Sequence, residues 1–160
     1  MKNKDAFQRF LQFAKDRKLT LKKIGSRDYN QGFNFYLCGV DNKKQPKETP
    51  IFVKFRSGKS LKDKWIWVEV LDNKGKPGWL YNKAHFIFIE TEGGFLVIPR
   101  EALLEHVNNS VDFETALVSN PWSAKYNLYQ PKNKLSQLCL VKLSNLENLH
   151  ESFSWFDLSK

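Results

Sequence analysis

The chain is poor in the residues that staple small or secreted folds. Among 160 residues there are two cysteines, one methionine and three histidines. Cys38 and Cys139 lie far apart and without metal-ligand spacing, which excludes a disulfide framework or a zinc finger as the organising principle. Both are expected to be packing residues. His85, His106 and His150 are scattered and form no ligand pattern. No window approaches the roughly 18 apolar residues of a membrane span, and the polar start Met1-Lys2-Asn3-Lys4-Asp5 does not read as a signal peptide. A reducing, cytoplasmic setting without a membrane partner is the expectation. A Gly-x-Ser-x-Gly elbow, a phosphate-binding glycine loop and internal repeats are missing too. Acidic charge is scarce: 17 Asp and Glu stand against 26 Lys and Arg, for a net charge of +9. That balance excludes an acidic mimic of nucleic acid and suits a partner that carries phosphates.

What the chain does have is apolar material, 41% of its residues with 14% aromatic, enough for a core in one domain over 1–160. Phe7, Phe10, Leu11 and Ala14 fall at helical spacing within residues 1–18, with Phe13 widening the stripe and Asp5 placed as a cap. The period then shortens. Residues 20–24 and 33–40 read as strands, residues 43–50, with two prolines, as a loop, and residues 51–56 as a third strand. Alternation there puts Ile51, Val53 and Phe55 on one face, and Phe52, Lys54 and Arg56 on the other. In Trp65-Ile66-Trp67-Val68-Glu69-Val70 the aliphatic residues share one face, opposite Trp65, Trp67 and Glu69. A hairpin is expected over 84–98 around Glu92-Gly93-Gly94, and a helix from Pro99 to Val107. Residues 112–118 and 145–151 read as short helices, 120–129 as a loop around Trp122 and Tyr126, and 138–143 as a strand. The fold class expected is α+β, a mixed sheet flanked by helices, with a core over 20–107 and an extension over 108–160 packed on it.

The run Trp65 to Val70 is followed by Asn73-Lys74-Gly75-Lys76-Pro77-Gly78-Trp79-Leu80-Tyr81, then Ala84-His85-Phe86-Ile87, Glu90-Thr91, Gly94-Phe95-Leu96-Val97-Ile98 and Arg100 to Leu103. In these elements the stretch 26–107 resembles small phage and bacterial proteins of the PD-(D/E)XK nuclease superfamily, and residues 126–146 continue the likeness weakly. The resemblance implies a restriction-endonuclease-like fold. It also implies an aspartate on one strand, and an acid two residues before a lysine on the next, holding Mg²⁺ or Mn²⁺. Hard cations want carboxylate oxygens, and a phosphodiester needs its developing charge neutralised.

On this alignment Lys54 takes the lysine position, but Asn34 and Phe52 stand where the acids belong. The leading expectation is therefore a catalytically degenerate nuclease-fold protein, related to phages or mobile elements, that needs no cofactor. It would bind nucleic acid, DNA ahead of RNA, or a nucleic-acid-processing complex. Arg56, Lys59, Lys62, Lys64, Lys74, Lys76 and Lys83 would supply the basic face, with Trp65, Trp67 and Trp79 interleaved for stacking. A second expectation keeps an active endodeoxyribonuclease, its Mg²⁺ or Mn²⁺ held by acids drawn from Asp28, Asp63 and Glu69 around Lys54. Glu69 enters the catalytic set as the acid the family keeps. A third is a protein-interaction module acting on a host defence or replication complex through exposed aromatics.

Overall fold

A computed structural model of the chain describes residues 2–24, 32, 34–40, 43–56 and 58–149. It is an α+β structure with a five-stranded mixed sheet, a separate two-stranded sheet and three helices among those residues. The chain divides into two compact units, one formed by Met1–Lys62 and Lys83–Pro99, the other by Asp63–Asn82 and Arg100–Leu149. No helix among the described residues is long and apolar enough to cross a membrane.

The first unit opens with helix α1, Lys2–Asp16, whose acidic Asp5 lies in the first turn and Lys15 in the last, as the helix dipole favours. Its buried stripe is Ala6, Phe10, Phe13 and Ala14. Leu11, expected in that stripe, is exposed, because Ala6 and Phe13 turn the apolar face the other way. The sheet has the order β1-β2-β3-β5-β6, with β1 Thr20–Lys23, β2 Phe35–Val40, β3 Pro46–Lys54, β5 Phe86–Thr91 and β6 Gly94–Pro99. Every pair is antiparallel except β3 with β5. Phe10 lies between the rings of Phe35, Phe88 and Phe95 at centroid distances of 5.4, 5.8 and 5.3 Å. Ile51, Val53 and Val97 complete that core. Strand β5 is apolar on both faces, and Ile87, Phe88 and Ile89 are all fully buried, as in a strand covered on both faces.

Strand β3 starts at Pro46, so residues 46–50 are strand where a loop was expected. The prolines fit because of where their nitrogens point. The carbonyl of Pro50 accepts from the N–H of His85 (2.8 Å), on the side away from β2. Its ring nitrogen faces the same way, and Pro46 shares its parity. The missing N–H groups thus remove no bond from the β2 ladder.

In the second unit, β4 (Trp65–Leu71) pairs antiparallel with β7 (Gln137–Lys142), not with the main sheet. Ile66, Val68 and Val70 are buried, as the alternation requires. The parallel β3–β5 pair needs a crossover, and β4 belongs to the chain that provides it. Helix α2, Arg100–Ser110, buries Leu103 and Val107, and α3, Leu143–Glu147, buries Leu146. The short helix expected over 112–118 does not form. There the Asp112 carboxylate accepts from the backbone N–H of Glu114 and Thr115, both at 3.0 Å, and bonds the Thr115 hydroxyl. A side chain that caps its own turn competes with the helix.

Candidate nucleic-acid interface

Phe52 and Lys54 lie on the face of β3 opposite the aromatic core, both half-buried. Asn34, just before β2, is spent on the strand between them. Its Oδ1 accepts from the Val53 N–H at 2.9 Å, its Nδ2 donates to the Val53 carbonyl at a long 3.4 Å, and its own N–H reaches the Ile51 carbonyl at 3.1 Å. The side-chain amide therefore stands in for a peptide group and extends the ladder by one rung. Asn34 thus lies beside β3 at Ile51 and Val53, the residues that alternate with Phe52 and Lys54 along the strand.

The donor set does not fit a hard cation. Position 52 is apolar, and the Asn34 oxygen already accepts a backbone N–H. Glu90, the buried acid of this unit, belongs to the other face of the sheet, where its registry partner is Phe95. Its Oε1 accepts from Arg9 Nε at 2.6 Å, and its Oε2 from the Arg56 N–H at 2.8 Å. Asp63 and Glu69 lie in the second unit, so Glu69 is not on the strand beside Lys54. Asp28, like His150, lies outside the described residues. Among the described residues no three of His, Cys, Asp and Glu are grouped to hold a metal.

Of the basic residues, Arg56 departs from the expected face. It is 6% exposed, and its guanidinium donates to the carbonyls of Glu90 (3.3 Å) and Ser60. Strand β3 ends at Lys54, so the alternation that placed Arg56 outside no longer applies. The six lysines are all exposed. Lys59 and Lys62 ride on a 3-10 turn, Gly58–Lys62, in the first unit, which also carries Lys83. Lys64, Lys74 and Lys76 belong to the second. The loop carrying Lys74 and Lys76 is held from inside: Asp72 Oδ1 accepts from both their backbone N–H groups, at 2.8 and 2.9 Å. The hydrogen bond from Lys76, ahead of that from Lys74, holds the Asp72 carboxyl below its ordinary range. Gly78 closes the loop by lying on Glu69: a Cβ there would meet the Glu69 carbonyl oxygen and come within 2.6 Å of its carbon. The glycine of the Gly-Trp-Leu-Tyr element is thus demanded by close packing.

The tryptophans of β4 are partnered. Trp65 meets Tyr126 edge-on at 5.8 Å, with Lys125 Nζ 5.0 Å from its ring centre, and Trp67 lies 5.7 Å from Tyr129. Tyr126, at φ 56°, is the hub of this region. Its hydroxyl oxygen accepts from Asn145 Nδ2 at 2.6 Å and from the Lys142 N–H at 3.2 Å, leaving its proton for His106 Nε2 at 3.5 Å. That oxygen ties Tyr126 to the end of β7 and to α3. Burial lowers the His106 pKa, in keeping with a neutral acceptor. The widely exposed aromatic is instead Trp122, 81% accessible, on a turn that Asn120 Oδ1 caps through the Trp122 N–H at 2.9 Å. Glu90 had a signal in the sequence, an acid closing an unbroken apolar strand; the hub role of Tyr126 had none. Comparison of the chain with family models, curated proteins and solved structures gives no match.

Proposed function

We propose that the protein binds nucleic acid through its lysines, on a restriction-endonuclease-like scaffold whose metal site has been lost. The observation that carries this reading is the setting of the lysines. Lys59 and Lys62 stand on a turn held by Arg56, and Lys74 and Lys76 on a loop built around Asp72. Hydrogen-bonded backbones beneath exposed ammonium groups suit phosphate contacts, which position a polyanion without reading its sequence. The ion pairs Arg9–Glu90, Lys22–Glu48 and Arg100–Glu101 draw on none of these lysines. The engaged amide at position 34 and the phenyl ring at 52 favour binding over hydrolysis.

The test is anisotropy titration of a labelled DNA duplex over a range of salt. Affinity falls with a log–log slope of about −0.9 per phosphate neutralised. The variant Lys59→Glu/Lys62→Glu/Lys64→Glu flattens the slope and weakens binding to all sequences alike. Binding indifferent to salt and to these changes overturns the reading.

One observation favours a second reading, a protein-interaction module. Residues 101–124 contain four acids and no Lys or Arg, in a chain of net charge +9, and this stretch carries Trp122. A widely exposed tryptophan on a stretch free of Lys and Arg suits a protein partner better than a phosphate backbone.

A further inference from the structure

In the second unit the end of β4 lies beside the start of β7, where Leu71 pairs with Gln137. Two loops therefore leave the small sheet at the same end. The first, residues 72–76, follows β4 and is closed by the bridge from Leu71 to Pro77. The second, residues 130–136, leads into β7. Its turn is held by the Lys134 N–H, which donates to the Pro131 carbonyl at 3.2 Å, and by Gln130 Nε2, which donates to the Lys134 carbonyl at 2.7 Å. The loops touch: a Cβ built on Gly75, whose φ is 74°, would lie 3.6 Å from Leu135 Cδ1. Lys74 and Lys76 flank that glycine, Lys132 and Lys134 come just before that leucine, and all four are exposed. The one carboxylate in either loop, Asp72, is turned onto the N–H groups of Lys74 and Lys76. Leu135 itself is 57% exposed at the seam. The two lysine pairs are far apart in sequence and meet only because β4 pairs with β7.

Resting on the nucleic-acid reading above, we propose that these two loops form one phosphate-binding site for duplex DNA. Lys132 and Lys134 act beside Lys74 and Lys76, and Leu135 enters the minor groove between them. Two lysine pairs on loops that meet at a seam suit the two phosphate rows bordering a minor groove, which is about 6 Å wide. An aliphatic side chain at that seam has the chemistry of the apolar wedges that enter minor grooves and unstack a base step. Neither loop carries an aromatic ring, so unpaired bases find no surface there to stack on. An anionic bilayer would meet the same lysines. A whole myristoyl chain holds a protein on a bilayer only marginally, however, and one leucine offers far less. Duplex DNA uses both features of the site.

The experiment titrates the protein over a range of salt against three probes: a labelled DNA duplex, one of its strands alone, and phosphatidylserine vesicles. The wild-type protein binds the duplex most tightly. Lys132→Gln/Lys134→Gln makes the log–log salt slope shallower by about 1.8, the share of two phosphate contacts. Leu135→Ser lowers duplex affinity by about tenfold and leaves the slope unchanged, because an apolar contact releases no counterions. Leu135→Met retains the affinity. All these side chains are exposed, so the variants keep the wild-type circular dichroism and melting profile. Tighter binding to the single strand or to the vesicles overturns the inference without any variant. A slope that Lys132→Gln/Lys134→Gln leaves intact, or an affinity that Leu135→Ser leaves intact, overturns it too. If Lys59→Glu/Lys62→Glu/Lys64→Glu still flattens the slope, the broader reading stands. A protein that binds neither nucleic acid overturns both.

Discussion

Replacing Glu90 by glutamine keeps the shape of a side chain that is 1% exposed and removes its charge. Both carboxylate oxygens face donors, Arg9 Nε and the Arg56 N–H. An amide can accept through one oxygen only, so its NH₂ group must meet the other donor. The Arg56 N–H is fixed in the backbone, whereas Arg9 is 45% exposed and can turn to water. The glutamine oxygen therefore keeps Arg56, and the charge-assisted bond to Arg9 is lost, at about 1.5–3 kcal/mol. Glu90→Ala also strands the buried Arg56 N–H and empties part of the core, raising the total to about 3–5 kcal/mol. For a unit of this size, about 2 kcal/mol corresponds to a Tm decrease of about 8–16 °C. Far-UV circular dichroism is the assay, since Trp65, Trp67, Trp79 and Trp122 all report on the second unit. A Glu90→Gln transition within about 2 °C of wild type, or an alanine variant more stable than the glutamine one, refutes the account of Glu90 as a neutralised structural anchor.

Two other perturbations concern the second unit. Gly78→Ala drives a methyl group into the Glu69 backbone and within 2.7 Å of its Cγ, so it should cost about 1–3 kcal/mol or more in urea titrations followed by tryptophan emission. Unchanged stability would show that the loop can shift freely. His106 has a lowered folded-state pKa, so the unfolded chain binds its proton first on acidification. Its contribution is complete above the unfolded value of about 6.5 and is lost as pH falls through the lowered folded value. Urea midpoints across that range should fall on the acid side for wild type, and less for His106→Gln; identical profiles exclude His106 as the group.

Short-range pattern made much of the fold legible. The alternation of residues 65–70 correctly buried Ile66, Val68 and Val70, and the 84–98 hairpin follows from its Gly-Gly turn. Facts settled at long range were not legible. β4 pairs with β7, far along the chain, and no local period encodes that partner. Strand 46–50 hid behind prolines whose cost depends on the side their nitrogens face. Arg56 was misplaced because alternation holds only while the strand lasts. At the candidate site, residue identities were readable at 34, 52 and 54, but the use of the Asn34 amide depends on the Val53 peptide, nineteen positions away.

That amide has a consequence for how position 34 can change. It answers both poles of the Val53 peptide, its oxygen to the N–H and its nitrogen to the carbonyl. A carboxylate has no hydrogen to give, so Asn34→Asp keeps one half of the exchange and sets lone pairs against the Val53 oxygen. Any gain in metal affinity is thus tied to a loss at the sheet margin. A substitution at position 34 therefore acts on the backbone of β3 before it acts on anything the side chain could bind.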